Sequence, residues 1–158
     1  MAVHRYRVSC AWTGSTGAGY EAYGRTHEVK MAGSGEQLAV SADPAFLGDP
    51  ARVNPEVLLV AAAASCQLLS FLAVAARSRV DVVSYEDDAE ASMPEDDRPV
   101  RITEIVLRPR ITVRAPATER RARHLVEVAH RECYIAHSLN SKISVVPEIT
   151  IMAGPAPS

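Results

Sequence analysis

Residues 54–76 read NPEVLLVAAAASCQLLSFLAVAA. Between Glu56 and Arg77 nothing can ionise except the Cys66 thiol. The stretch opens with helix-start chemistry. Asn54 can cap, Pro55 at the first helical position loses no needed N–H, and Glu56 in the first turn suits the positive end of the helix dipole. A helix that is apolar nearly all round has to be buried. Three uses compete: a membrane span, a core helix with an inert cysteine, and a buried helix that holds a reactive thiolate.

The span is rejected on context. It needs about 20 apolar residues, and residues 57–76 just reach that length. Yet the segment is rich in alanine, carries Ser65, Gln67 and Ser70, and lies mid-chain between segments that read as strands. One small monomer can hardly cover such a helix on every side. The pattern therefore predicts a homodimer in which two of these helices pack on each other, with alanines allowing close approach.

Working outward, 158 residues suit one domain, placed at 1–153 with a flexible tail over 154–158. The chain is 47% hydrophobic and 23% charged with a formal net charge of −2, so neither nucleic acid nor an anionic membrane is indicated as a partner. The three cysteines, Cys10, Cys66 and Cys133, are odd in number and far apart, unlike a secreted disulfide framework. The opening MAVHRYRVSCAWTGS lacks the apolar stretch of a secretory signal. Both features predict a cytoplasmic setting with reduced thiols.

Residues 4–12 alternate as a strand, 13–19 form a turn, and 20–31 and 37–41 are further extended runs. Residues 43–53 make a proline-punctuated loop. Strand signals return at 80–85, and a polar, acidic patch runs through 93–97. One strand then spans 102–113, with Ile105, Leu107, Ile111 and Val113 on one face and a bulge or edge at Pro109. A second helix covers about 117–131, with Leu125, Val128 and Ala129 inward, followed after a break by a short helix near Cys133 and a closing strand over 142–152. Strands in runs separated by helical segments give an α+β fold.

A free cysteine in apolar surroundings is ordinarily inert. Cys133 offers Cys66 a partner, because backbone N–H groups at a helix beginning favour a thiolate or a disulfide. Cys10 is expected to be a core strand residue. His130, Cys133 and His137 fall at i, i+3 and i+7, which leaves a Zn²⁺ site open. Tyr20, Tyr23, Phe46 and Leu47 would suit an apolar ligand pocket in a non-catalytic binding module.

Asn54-Pro55-Glu56, an alanine-rich run to Ser65-Cys66, and Cys133 67 residues later with Ser138-Leu139 behind it together resemble the OsmC/Ohr family, the osmotically inducible and organic hydroperoxide resistance proteins. The resemblance covers nearly the whole chain. It implies an OsmC-like fold, with an antiparallel sheet and a long buried central helix, in an intertwined homodimer with active sites at the subunit interface. It also implies a cytoplasmic thiol-dependent peroxidase that uses no metal or cofactor, takes organic hydroperoxides and is reset by an external thiol or lipoyl-type dithiol. On this resemblance Cys66 is the peroxidatic and Cys133 the resolving cysteine. Glu56 matches the glutamate that holds an arginine against the thiolate, and Arg25 is the best candidate for that arginine, with Arg7 and Arg52 in reserve.

The residue types suit the chemistry. A thiolate attacks the peroxide oxygen, a guanidinium stabilises the anion and the departing alkoxide, and a carboxylate fixes the guanidinium. Ten residues of helix put Glu56 and Cys66 about 15 Å apart and about 80° around the axis. Either Arg25 bridges toward the thiolate, or Glu56 acts across the dimer, or the helix bends.

Overall fold

The computed structural model describes residues 1–154; the expected tail lies outside them but for Gly154. Contacts within the chain gather into two compact units, Met1–Leu59 and the remainder from Val60 onward.

The first unit is a three-stranded antiparallel sheet of β1 (Val8–Ala11), β2 (His27–Met31) and β3 (Gln37–Val40). Cys10 pairs with Val29, and Val29 with Leu38, so the apolar positions share one face. The extended run expected from residue 20 starts only at His27, because residues 20–23 are turns and bends and 24–26 are irregular. Cys10 is exposed, contrary to the expectation of a core residue. It lies on β1, an edge strand of its sheet, between the exposed Val8 and Trp12.

The loop that follows prepares the long helix. Asp43 Oδ1 accepts from Ala45 N at 2.8 Å, starting a short 3-10 turn at Pro44–Phe46. Gly48 passes so close to the Ala42 carbonyl that an added Cβ would lie 1.6 Å from its oxygen, so only glycine fits. Asn54 Oδ1 then accepts from Val57 N at 2.8 Å, and Asn54 Nδ2 donates to Asp43 Oδ2 at 3.1 Å. This is the N-cap expected of the NPE motif.

Helix α1 runs unbroken over Pro55–Arg77. It is buried along one stripe, Ala63, Gln67, Phe71, Val74 and Ala75. As expected of a single monomer, the chain does not cover the helix on every side: Leu69 stays 61% exposed and Leu72 39%.

The second unit adds β4 (Val82–Asp87), β5 (Glu90–Ser92), β6 (Glu104–Leu107), β7 (Pro109–Arg114), α2 (Glu119–Glu132), α3 (Tyr134–Ser138), β8 (Lys142–Val145) and β9 (Glu148–Met152). These strands form two sheets, β4-β7-β9 and β5-β6-β8. The pairs β4/β7 and β5/β6 are antiparallel, but β7/β9 and β6/β8 are parallel. The purely antiparallel sheet is therefore corrected to mixed sheets in an α+β fold. The parallel pairs arise because α2 and α3 carry the chain across before it returns, the long crossover that parallel strands need.

The single strand expected over 102–113 breaks at Arg108 into β6 and β7, which join different sheets. Its alternation survives the break: Ile105, Leu107, Ile111 and Val113 are all buried. The closing strand divides likewise at Val146 and Pro147. Thr118 caps α2 by accepting from Arg121 N at 3.3 Å. Phe71, Val74 and Ala75 of α1 meet Ile111 and Val113 of β7 and Ala122, Leu125, Val126 and Ala129 of α2 in one core.

Candidate active site

The two helices that meet in this core each carry one sulfur. Cys66 lies on α1 beside the buried stripe and is half-buried. Cys133 is extended (φ −74°, ψ 109°) and closes α2 while opening α3. Its N–H bonds the His130 carbonyl at 3.3 Å, and its own carbonyl accepts from His137 N at 3.2 Å. The helix break foreseen at this point therefore falls on the cysteine itself. Cys133 is 1% exposed.

The Cys66 thiol lies close enough to Cys133 to shift its ionisation. Burial, then the hydrogen bond with Cys66, pushes the Cys133 thiol up to about 11. The Ala136 and Ile135 amides of α3 pull the other way, and charge on Cys66 adds to the rise. A helix beginning was expected to favour a thiolate here. Its amides do so, but desolvation outweighs them. Cys133 thus stays protonated at neutral pH.

Cys66 opens onto a groove of about 420 Å³. Its walls are mostly apolar, from Ala62, Leu69 and Ala73 of α1 and Ile135 of α3, with Ser65, Ser70 and Tyr134 beside them. Arg77 and Glu132, paired at 2.5 Å, stand at its rim. Tyr85 packs with its ring 5.8 Å from that of Phe71 in the core. Its hydroxyl is buried without a hydrogen-bond partner, and burial, then Asp87 and Cys133, raise its pKa above the usual tyrosine range.

Arg25 belongs to the first unit. Its guanidinium stacks on the rings of Tyr20 (4.5 Å) and Tyr23 (4.2 Å) and donates to the Tyr20 and Tyr23 carbonyls at 2.7 and 2.9 Å. Among the described residues no carboxylate forms an ion pair with it. It lines a cavity of about 360 Å³ with Cys10, Trp12, Tyr23 and His27. Glu56 sits in the first turn of α1 with Oε2 buried and unpartnered. Of the reserves, Arg52 pairs with Asp49 at 3.7 Å.

His137 Nε2 lies 2.7 Å from the Arg131 carbonyl, and burial, then the neighbouring His137, lowers the His130 pKa. Among the described residues no three His, Cys, Asp or Glu side chains gather as a metal site. Sequence reasoning passed over Gln67 and Tyr85. Gln67 carried a signal, an amide inside an apolar stripe next to the cysteine.

A model of OsmC-like proteins matches residues 48–148. An OsmC-like protein of unknown function from Vibrio cholerae superposes with a TM-score of 0.80 at 29% identity, over 94% of this chain and 100% of that one. An organic hydroperoxide resistance protein OsmC from Legionella pneumophila superposes at 0.69 with 18% identity, over 95% and 99%. The organic hydroperoxide resistance protein OhrB of Bacillus subtilis does so at 0.65 with 18% identity, over 94% and 100%. No curated protein matches the chain in sequence.

Proposed function

The chain belongs to the OsmC-like family, and from that premise we propose that it is a thiol-dependent peroxidase reducing organic hydroperoxides to alcohols. One observation carries the reading: Cys66 opens onto a largely apolar groove and has the buried Cys133 as its neighbour.

In the first step the Cys66 thiolate attacks the outer oxygen of R–O–O–H. An S–O bond forms, the O–O bond breaks, and the alkoxide leaves and takes a proton to become the alcohol. Cys66 is oxidised to a sulfenic acid and the peroxide is reduced. In the second step the Cys133 sulfur attacks the Cys66 sulfur, and the departing hydroxide takes the Cys133 proton to leave as water. An external dithiol then reduces the disulfide and is itself oxidised. The walls at Leu69, Ala62, Ala73 and Ile135 suit an organic substituent better than hydrogen peroxide.

Arg25 is assigned, on the family resemblance, to stabilise the thiolate and the departing alkoxide, with Glu56 orienting it. The active form is a cytoplasmic homodimer; the exposed Leu69 and Leu72 on α1 support a partner helix. The aromatic cavity beside Arg25 favours, as a second reading, a module that binds an apolar ligand without turnover.

The test is titration of the reduced protein with one equivalent of cumene hydroperoxide, followed by peptide mass mapping. Loss of two hydrogens in a linked Cys66–Cys133 peptide is expected, and Cys66→Ser abolishes turnover. Full turnover in Cys66→Ser would overturn the mechanism, while an inert wild type would leave the binding module.

A further inference from the structure

We propose that Gln67 is a positioning residue that locks the register of α1 against α2 and so brings the Cys66 and Cys133 sulfurs into disulfide geometry. The inference rests on the reading of these cysteines as a redox pair.

Gln67 directly follows Cys66 and is 1% exposed. Its neighbours on the stripe are Ala63, Phe71, Val74 and Ala75, all apolar. Gln67 Nε2 donates to the Val126 carbonyl of α2 at 3.3 Å, while Gln67 Oε1 is buried with no partner. Only the N–H end can bond a carbonyl, so the amide orientation is determined. Stranding a buried acceptor is unfavourable, and a methionine or leucine would fill the site without doing so. This side chain is a poor choice for packing alone. What it supplies is a directional tie between the helices.

The tie sits where the chemistry needs it. Gln67 is one residue from Cys66, and Val126 is two helical turns, about 10 Å, before Cys133 on the same helix. Cys133 is fastened to the end of that helix by its N–H to His130 O, so it follows any slide of α2. The nearby Arg77–Glu132 pair also joins the helices, but its side chains are 59% and 49% exposed, and exposed pairs hold geometry weakly. A disulfide tolerates Cβ separations of only about 3.5–4.5 Å. Misplacement by about 1 Å can slow a positioned reaction a hundredfold.

The experiment compares wild type with Gln67→Met, which keeps the length and removes the hydrogen bond. After one equivalent of cumene hydroperoxide, rapid quenching separates dimedone-trapped Cys66 sulfenic acid from disulfide. Gln67→Met should form sulfenic acid at the wild-type rate but close the disulfide about tenfold more slowly or worse. Excess peroxide should then give more sulfinic acid, while the thermal midpoint is unchanged or raised because no acceptor is stranded. Closure at the wild-type rate overturns the proposal, as does slow closure with a lowered thermal midpoint, which marks a merely structural role. Gln67→His, which retains a side-chain N–H, should close faster than Gln67→Met; equal slowness counts against the tie.

The same comparison with diamide, which oxidises dithiols without a hydroperoxide, separates the two readings. If wild type closes with diamide but not with cumene hydroperoxide, the peroxidase reading fails, and the Gln67→Met difference with diamide still decides the role of Gln67. If wild type closes with neither oxidant, the redox pair fails and this inference falls with it.

Discussion

Alkylation of Cys133 tests the electrostatics of the site directly. Its thiol is held up at about 11, against an ordinary value of 9.0, with burial the largest cause and the Cys66 hydrogen bond the next. Well below both values, two units mean about a hundredfold less thiolate in the folded chain than in the unfolded one. Iodoacetamide reacts with thiolates, so at pH 7.5 Cys133 should be carboxamidomethylated at least about a hundredfold more slowly folded than in urea. Slow access alone would give the same ratio; the pH profile separates the two. The folded rate should keep climbing tenfold per unit past pH 9, where the unfolded control levels off. In Cys66→Ala the hydrogen bond and the charge are gone but burial remains. Its profile should therefore shift toward lower pH and still lie above the unfolded control. Stability follows the same linkage. The folded value lies above the unfolded one, so the contribution is full below pH 9 and is lost as pH rises through about 11. A folded profile that levels off near pH 9 would refute the account.

Two further outcomes are expected. Arg25→Ala should slow Cys66 oxidation by about tenfold, the equivalent of one charge-assisted contact of about 1.5 kcal/mol, read by stopped-flow with cumene hydroperoxide; an unchanged rate would pass the role to Arg7 or Arg52. Phe71→Ala, at a fully buried position in the core shared by α1, β7 and α2, should cost about 3–5 kcal/mol in urea denaturation, and a loss below about 1 kcal/mol would contradict that placement.

The parts of the fold legible beforehand are those that short stretches determine. The Asn54-Pro55-Glu56 cap, the helix behind it and the break at Cys133 each depend on a few adjacent residues. The alternation of Ile105, Leu107, Ile111 and Val113 located the buried face but not the division of that run between two sheets, since period two continues across the break. Parallel pairing of β6 with β8 and of β7 with β9 was hidden because partners more than 35 residues apart leave no local pattern. At the site, the two cysteines could be found by position. The protonated state of Cys133 could not, because it turns on how much water the surrounding core removes, and helix-end amides were the only influence visible in the sequence. Gln67 was visible as a letter, but its meaning depends on Val126, 59 residues away.

The corner at Cys133 has a consequence for how its sulfur is held. The residue is at once the C-cap of α2 and the N-cap of α3, with its N–H on the His130 carbonyl and its own carbonyl on His137 N. One backbone position is thereby tied from both sides, and the thiol it carries has no slack of its own in the main chain. The five residues of α3 set out from that fixed point, with Tyr134, 83% exposed, as the first of them.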